Sequence, residues 1–576
     1  MADAILPAGS AGSDIGTGRN TGWIWTFGTA LIALIVAVPI LSVILVAFST
    51  DDRGWFDIVQ ASLPRYTWNT LVLMSGVAVG TLSIGIATAW LVTCCRFPGR
   101  RIFEWALLLP LAAPAYLVAF VYTDLLEYSG IVQRTLRDIF DWQIKADYWF
   151  PDIRSQGGAI IVLSLVLYPY VYMMGRAAFL QQSVCALEAA RTLGRTPWQS
   201  FWTVALPMAR PALAIGVSLA MMETLNDFGT IDFFGVHTLT AGVFEVWRLL
   251  GSTVGAAQLS VVMLLFVVGL LWIERTSRGR QRFDHVSSKI RALPGYELAG
   301  RRKWAAVLVC FLPIALGFLV PTLVMLSDAI ANFSDQFGRD YLELVYHSFS
   351  MAGIAALAAL VVGLFLAYGA RLNGTRALRV LTKFTAIGYA VPGAVLGVGI
   401  IMPFTAFDRT FSAFMEGTFG IETGAVLFGT SFAVIFAYVV RFMAIGFGAA
   451  ESALEKVTPH MDDAARTLGH GPWSTLKKVH LPMVRGGVLA GAVLVFVDCM
   501  KELPATLLLK PPFNFDTLAT FAYQYASDER FEQASLGALT IVLAGILPVI
   551  VLSRAIRNAR PGHAVDAVRP VRPETV

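Results

Sequence analysis

The sequence predicts an all-α membrane protein in which twelve transmembrane helices form two parallel six-helix repeats. Three observations predict this fold: the composition, the number of long apolar stretches, and an internal duplication. Of the 576 residues, 56% are hydrophobic and only 14% are charged, whereas soluble domains average about 25% charged residues. The mean hydropathy of +0.66 agrees with this difference. The composition excludes a disordered chain, a nucleic-acid-binding domain and an ordinary soluble enzyme.

Twelve apolar stretches are long enough to cross a bilayer, because a hydrocarbon core of about 30 Å needs roughly 20 apolar residues in a helix. Backbone polar groups must be satisfied inside lipid, so each stretch is predicted to be helical. In the first half the predicted spans are 23–49, 68–95, 102–124, 157–180, 208–234 and 254–274. In the second half they are 304–328, 346–371, 379–404, 424–449, 484–510 and 534–554. The polar N-terminus lacks the basic start and cleavage site of a secretory signal, so the first span is expected to be retained.

Basic residues concentrate in loops that follow the even-numbered spans, and the most basic of these segments is 275–303. Cytoplasmic loops carry such an excess of Lys and Arg, so both termini are predicted to be cytoplasmic. A nucleic-acid or lipid patch is the alternative interpretation of this basic segment. The predicted organisation is a cytoplasmic tail, a six-helix domain, a basic cytoplasmic linker, a second six-helix domain and a second cytoplasmic tail, at 1–22, 23–274, 275–303, 304–554 and 555–576.

The two halves of the sequence are related by duplication. The segment Leu187-Glu-Ala-Ala-Arg-Thr-Leu-Gly194 matches Asp462-Asp-Ala-Ala-Arg-Thr-Leu-Gly469 at an offset of 275 residues. The same offset relates Glu223 to Asp498. Because each half carries an even number of spans, both halves have the same orientation in the membrane. The duplication therefore predicts a parallel repeat about an axis along the membrane normal.

The duplicated motif lies between the fourth and fifth spans of each half, on the predicted cytoplasmic side. In the first half, residues 184–193 are predicted to form a short helix that ends at Gly194, since glycine readily adopts the left-handed conformation. Thr196 then caps a second helix, with Gln199 completing a capping box. In the second half, Gly469 ends the equivalent short helix. Two short helices exposed to the cytoplasm would form a docking element.

These motifs resemble the EAA loops of permeases in the binding-protein-dependent importer family of ABC transporters. The resemblance implies a type I importer permease fold, two copies of a cytoplasmic ABC ATPase as partners, and a periplasmic substrate-binding protein. It also implies a multi-pass protein of the bacterial inner (plasma) membrane. The residues that it assigns to ATPase coupling are Glu188, Ala189, Ala190, Gly194, Asp463, Ala464, Ala465 and Gly469. Asp463 stands where the family usually has Glu, so the acidic side chain is shorter in the second motif than in the first.

The sequence contains no G-x-x-x-x-G-K-[ST] phosphate-binding loop, the motif that cradles nucleotide phosphates in many ATPases. The chain is therefore not expected to be an enzyme, and no catalytic residue or bound cofactor is assigned to it. ATP and Mg²⁺ are expected on the partner ATPase.

Over nearly its whole length the chain resembles fused double permeases that import ferric iron. Three segments carry this resemblance: Pro110–Asp124, Met222–Thr230 and Lys501–Thr517. It implies that a periplasmic ferric-binding protein delivers the iron and that transport proceeds by alternating access. An importer of thiamine or 2-aminoethylphosphonate is the alternative within the same family. A secondary transporter driven by a cation gradient is the alternative from another class, and the doubled motif argues against it.

Four carboxylates fall within the fifth and eleventh predicted spans: Glu223, Asp227, Asp498 and Glu502. Each pair is spaced i, i+4, so each is predicted to share one helix face. Ionisable groups inside a membrane usually face a cavity or a partner, and hard cations such as Fe(III) favour oxygen ligands. These residues are therefore hypothesised to line a substrate path or gate. Local capping or pairing, for instance with Lys501, is the alternative. No metal ligand is firmly assigned, because the cysteines and histidines form no ligand set.

Overall fold

The structure is a computed structural model, and it describes residues 22–49, 62–181, 192–278, 296–372, 375–512 and 515–558. Within these ranges most of the chain is helical. Two short strands, β1 (Cys95–Arg96) and β2 (Tyr296–Glu297), pair in parallel. This pairing holds the end of the linker, just before the second half, against the first half.

The helices of the two halves follow the same order. In the first half they are α1 (Gly22–Ala47), α2 (Leu63–Cys94), α3 (Arg100–Ala106), α4 (Ala115–Leu126), α5 (Ile131–Phe140), α6 (Gln156–Gln181), α7 (Pro197–Ser200), α8 (Leu206–Asn226), α9 (Gly229–Phe233), α10 (Leu239–Leu249) and α11 (Thr253–Arg278). In the second half they are α12 (Arg301–Ile314), α13 (Val320–Ala331), α14 (Phe333–Gln336), α15 (Arg339–Leu372), α16 (Arg376–Thr385), α17 (Gly393–Phe419), α18 (Ser431–Leu454), α19 (Pro459–Thr467), α20 (Pro472–Thr475), α21 (Leu481–Lys501), α22 (Pro504–Leu509), α23 (Leu518–Ser527) and α24 (Phe531–Asn558).

The predicted all-α fold with twelve transmembrane helices is confirmed. In the described part of the chain, twelve helical segments are long and apolar enough to cross a membrane, and each overlaps one predicted span. Single turns of π-helix at Phe201–Ala205, Ala315–Leu319 and Leu476–His480 join shorter helices into longer segments. The fold is therefore two sets of six spanning segments.

The third and ninth spans begin later than predicted. Their apolar sequences start as the short helices α3 and α16, and the spanning helices α4 and α17 begin only after Pro114 and Pro392. Both prolines have extended backbone, with ψ near 141° and 142°. Proline lacks an N–H donor and clashes with the preceding helical turn. At these two prolines the helix stops and restarts, which a count of apolar residues does not detect.

The first spanning segment of each half packs against the other half. Helix α1 lies along α15, α16 and α17, and its Trp25 stacks on Phe365 with 4.7 Å between ring centroids. In the equivalent exchange, α12 lies along α2 and α3, and α13 contacts α4. The Tyr122 hydroxyl donates a hydrogen bond to the carbonyl of Leu316 at 2.5 Å. Each half therefore packs its first spanning segment against the other half.

Candidate functional site

The candidate site is a cavity of about 140 Å³ between the two halves. Helices α8 and α21, which are equivalent in the two repeats, both end at it. The cavity brings together the four predicted carboxylates, Glu223, Asp227, Asp498 and Glu502. Its other polar lining residues are Tyr116, Tyr170, Asn226, Tyr389, Arg441 and Lys501. Four carboxylates against two cations give the lining a net charge of −2 when all six groups are ionised.

The prediction that each carboxylate pair shares one helix face is wrong. Helix α8 ends at Asn226 and α21 ends at Lys501, so Asp227 and Glu502 lie just beyond the helices with extended backbone. The predicted fifth and eleventh spans are therefore interrupted near the cavity. The first N–H groups of any new helix lack backbone acceptors. The carboxylates of Asp227 and Glu502 accept hydrogen bonds from such N–H groups.

Asp227 and Glu502 each cap the short helix that follows. Asp227 Oδ1 accepts a hydrogen bond from the Thr230 N–H at 2.9 Å, and its Oδ2 accepts one from the Thr230 hydroxyl at 3.0 Å. Glu502 accepts from the N–H groups of Ala505 and Thr506, both at 3.1 Å. Negative charge is favourable at a helix N-terminus. Local capping, the alternative that the sequence left open, therefore describes these two residues.

Glu502 also forms a buried ion pair with Arg441 of α18, which the sequence reasoning missed. Arg441 Nη1 lies 2.7 Å from Glu502 Oε1, and the two side chains are 8% and 1% exposed. Charges within a membrane protein are costly unless they are paired or face a water-filled cavity. An arginine in the middle of the apolar stretch 424–449 is the sequence signal that identifies this residue.

The first members of the two pairs, Glu223 and Asp498, differ from the caps. They lie within α8 and α21 at equivalent positions and, like Asp227, keep part of their surface accessible. The two carboxylates are close enough to interact electrostatically. Glu223 Oε1 accepts a hydrogen bond from the Tyr389 hydroxyl of the other half at 3.0 Å. Lys501 Nζ crosses between the halves as well, donating to the carbonyl of Leu111 at 2.6 Å.

The halves also meet beyond the cavity. The Tyr523 hydroxyl donates to Asp232 Oδ2 at 2.5 Å. Burial, followed by the nearby Asp232 carboxylate, raises the pKa of the Tyr523 hydroxyl above its ordinary value. Arg154 bridges Glu127 of its own half, at 2.6 Å, and Glu529 of the other half, at 3.1 Å. Across the described ranges, no group of three or more His, Cys, Asp or Glu side chains is arranged to hold a metal ion.

The first duplicated motif is described only from residue 192 onward, so the predicted coupling residues Glu188, Ala189 and Ala190 lie outside the described residues. Gly194 has φ of +78°, the left-handed conformation that ends a helix. The predicted capping box is present. Gln199 Oε1 accepts from the Thr196 N–H at 3.0 Å, and Thr196 Oγ1 accepts from the Gln199 N–H at 3.3 Å.

The second duplicated motif is described in full. Helix α19 follows Thr458, and Gly469 has φ of +80° just beyond its end. Asp463 and Ala464 are exposed, whereas Ala465 is buried. Both motifs also present an exposed leucine directly before the glycine, since Leu193 is 80% exposed and Leu468 is 77% exposed. Each motif therefore offers an exposed turn with one apolar side chain.

Asp462 fixes the second motif to the membrane helices on either side of it. Its Oδ2 lies 2.8 Å from Arg371 Nη2 at the end of α15, and its Oδ1 lies 2.6 Å from His480 Nε2. Arg371 also donates to the carbonyls of Leu454 and Val457. The first repeat has a leucine at the position equivalent to Asp462. The first motif therefore lacks the carboxylate that makes these two contacts in the second motif.

Replacement of Asp462 by alanine is expected to lower the free energy of unfolding by about 1–3 kcal/mol, because it leaves Arg371 and His480 without a charged partner. The measurement is the melting temperature of the purified protein in detergent. Asp463→Ala is the matched control, since the Asp463 side chain is exposed and its nearest cation, Arg466, is 3.9 Å away. Equal melting temperatures for the two variants would show that Asp462 has no anchoring role.

A continuous helical segment connects each motif to the cavity. In the first half, α7, a π-turn and α8 run from Pro197 to Asn226. In the second half, α20, a π-turn and α21 run from Pro472 to Lys501. At 1.5 Å per residue each segment is roughly 45 Å long. Each segment therefore leads from a duplicated motif to Glu223 or Asp498.

Comparison with known proteins places these features in a family. Residues 81–282 and 359–561 each match the family of binding-protein-dependent transport system inner membrane components. The chain is 25% identical to the Fe(3+)-transport system permease protein FbpB 2 of Haemophilus influenzae, over 91% of this chain and 96% of the relative. It is 25% identical to the ferric transport system permease protein FbpB of Actinobacillus pleuropneumoniae, over 86% and 70%.

A shorter relative matches over a single repeat. The molybdenum transport system permease protein ModB of Escherichia coli is 30% identical over 37% of this chain and 96% of its own length. A relative of that size corresponds to one half of the present chain. The two family matches together cover more than half of the sequence, at equivalent positions in the two repeats. The chain therefore belongs to the family of binding-protein-dependent transport system inner membrane components, and it carries the family domain twice.

Proposed function

We propose that the chain is the permease subunit of an ATP-driven importer that moves ferric iron across the bacterial inner membrane. The observation that carries this proposal is similarity over nearly the full length to fused relatives that are named for ferric iron. The relatives named for molybdenum and sulfate align with at most 43% of the chain. A periplasmic binding protein would deliver the iron to the face opposite the duplicated motifs.

The chemistry of the cavity supports a cationic cargo. Its lining combines carboxylate, phenol and amide oxygens, and it carries more carboxylates than cationic groups. Fe(III) is a hard cation that favours oxygen ligands. An oxyanion such as sulfate or molybdate would be repelled by the excess of carboxylates, and repulsion between like charges is strong where water is scarce.

The duplicated motifs support the proposal that a separate ATPase supplies the energy for transport. We infer that one ATPase copy docks on each duplicated motif, at Glu188–Gly194 and at Asp463–Gly469, and that ATP and Mg²⁺ bind to the ATPase. Closure of the two ATPases would move both motifs, and the continuous helical segments would carry that movement to the cavity. The path between the halves would then open alternately to each side. The motifs and both termini would lie in the cytoplasm.

The test is uptake of ⁵⁵Fe(III) into proteoliposomes that contain the chain, its partner ATPase and its binding protein. We expect uptake that requires all three components and ATP, and that excess thiamine or 2-aminoethylphosphonate does not reduce. Competition by either compound would favour the alternative importer functions. A relative named for 2-aminoethylphosphonate transport is 28% identical over 37% of the chain. Uptake driven by an ion gradient without the ATPase would favour a secondary transporter.

A further inference from the structure

Helix α5 turns polar side chains toward the protein. Gln133 is 5% exposed, its Nε2 donates a hydrogen bond to the carbonyl of Leu126 at 2.7 Å, and its Oε1 accepts one from the Tyr148 hydroxyl at 2.6 Å. Arg137 donates to the carbonyl of Tyr128 at 2.8 Å, and its guanidinium lies 4.1 Å from the centroid of the Tyr128 ring. A surface helix of a soluble protein normally packs its apolar stripe on the protein and exposes its polar side. In α5 the protein holds the polar side instead.

The exposed surface of α5 is divided between an apolar face and a charged face. Ile131 and Ile139 are 62% and 67% exposed, and their i, i+8 spacing places them on the same side of the helix. Phe140, the last residue of α5, is 57% exposed. Arg134 and Asp138 are also exposed, and their i, i+4 spacing places them together on another side. One exposed face of α5 therefore suits an apolar environment, and the other suits water.

Further exposed apolar side chains follow α5. Ile144 is 57% exposed, and Trp149 is 86% exposed. The Trp142 ring stacks on the Phe140 and Tyr148 rings, with 4.8 Å and 4.7 Å between ring centroids. Trp and Tyr are enriched where a membrane meets water, because their rings are apolar and carry one polar group. Exposed apolar side chains concentrated in this way mark an interface with another protein or with a membrane.

Helix α5 lies at the level where the spanning helices end. Phe120 of α4 packs against Phe531, the first residue of α24, with 6.0 Å between ring centroids. Arg154 joins Glu127, at the end of α4, to Glu529, just before α24. Helix α5 begins four residues after Glu127. The spanning helix α6 separates α5 from the first duplicated motif, so α5 lies at the opposite surface of the membrane.

We propose that residues 131–149 form an interfacial element whose apolar face lies among the lipids of the leaflet opposite the duplicated motifs. Helices that lie in the plane of a membrane surface keep an apolar face at the acyl boundary and a charged face in water. The charge of the surrounding segment favours lipid over a charged protein partner, because residues 128–155 include four basic and four acidic residues. The next span also begins with an exposed apolar side chain, since Ile161 of α6 is 61% exposed. The proposal does not depend on which substrate the protein transports.

The interfacial element belongs to the first half of the chain. Helix α4 has 12 residues and ends before the chain turns into α5, whereas the equivalent helix α17 continues unbroken for 27 residues. The first residues of α4, Ala115 and Tyr116, line the cavity. The interfacial element would therefore hold the far end of one cavity-lining helix at the membrane surface.

The experiment measures how two relaxation reagents reach nitroxide labels, by electron paramagnetic resonance of the full chain in vesicles of phosphatidylcholine and phosphatidylglycerol. Molecular oxygen concentrates in lipid, whereas the nickel(II)–EDDA complex stays in water. The five native cysteines are replaced, and Ile131→Cys, Ile139→Cys and Trp149→Cys each carry one label. We expect oxygen to relax these labels at least about three-fold more strongly than nickel(II)–EDDA does, because they lie at the acyl boundary.

Asp138→Cys is the matched control, because Asp138 is exposed and adjacent to Ile139 but lies on the charged face of α5. Its label should be relaxed more strongly by nickel(II)–EDDA than by oxygen. All labelled variants should keep the melting temperature of the unlabelled cysteine-free chain, since each label replaces an exposed side chain.

Three results would overturn the proposal. Equal relaxation by nickel(II)–EDDA at Ile139 and Asp138 would place the apolar face in water. Protection of Ile139 from nickel(II)–EDDA that requires added binding protein would assign the face to that protein. Protection of Ile139 from both reagents in the chain alone would mean that a second copy of the chain covers it. None of these measurements uses transport, so a failure of the proposed iron function would leave the interfacial element standing.

Discussion

Replacement of Arg441 by alanine is expected to destabilise the protein by about 3–5 kcal/mol, because removal of one partner of a buried ion pair leaves the other charge uncompensated. Glu502 would then be a carboxylate at 1% side-chain exposure that retains only its capping hydrogen bonds. The measurement is thermal unfolding in detergent, together with the amount of protein that reaches the membrane.

Two further variants test this explanation for Arg441. Arg409→Ala is the matched control, because Arg409 lies on the exposed face of α17 and its loss should change stability little. The double variant Arg441→Met, Glu502→Gln should recover most of the lost stability, since it replaces both charges and Gln keeps a capping oxygen. A double variant as unstable as Arg441→Ala would mean that Arg441 acts through packing and not through its charge.

Replacement of Gly469 by leucine is expected to abolish ATP-driven uptake while the protein still reaches the membrane. No atom lies within 4 Å of the Cβ position at Gly469 or at Gly194, so the permease itself has space for the side chain. The backbone strain of a leucine at φ of +80° costs roughly 1–2 kcal/mol. The larger effect is expected on the docked ATPase, because the new side chain stands on the exposed turn. Uptake and stimulated ATP hydrolysis are measured together.

Gly420→Leu separates the effect of backbone strain from the effect of a side chain on the ATPase-coupling turn. Gly420 has φ of +66° and no atom within 4 Å of its Cβ position, but it ends α17, whose other end begins near the cavity. It therefore imposes a similar strain away from the duplicated motifs, and uptake should continue. Gly469→Asn should restore part of the coupling, since asparagine tolerates the left-handed conformation. Full uptake by Gly469→Leu would contradict the assignment of this turn to ATPase coupling.

The sequence predicts the twelve spans well because length and hydropathy are local properties. It fails where the chain stops a helix without losing its apolar character. The breaks at Pro114 and Asp227 lie inside continuous apolar runs, so a hydropathy window passes over them. The local signals are nonetheless present. Pro114 cannot continue a helix, and Asp227 followed three residues later by Thr230 is a capping pattern.

The grouping of the site residues depends on contacts between segments far apart in the chain. Glu223 meets Tyr389 because the two repeats pack against each other. Glu502 meets Arg441 because α18 packs against α21 within the second repeat. The duplication indicated that Glu223 and Asp498 are equivalent, and the structure places them at one cavity. The i, i+4 spacing did not indicate that Asp227 and Glu502 are caps, since spacing alone cannot reveal where a helix ends. The coupling assignments stay predictions.

The exchange of first helices between the halves has a consequence for how the two repeats are held together. Because α1 lies along the second half, and α12 and α13 lie along the first, neither half completes its lipid-facing wall by itself. Contacts contributed in both directions therefore hold the two halves together. Because both halves belong to one chain, every molecule contains one half with Asp462 and one half without it. The difference between Leu187 and Asp462 in the two duplicated motifs is thereby a fixed property of each molecule, which a pair of identical halves could not possess.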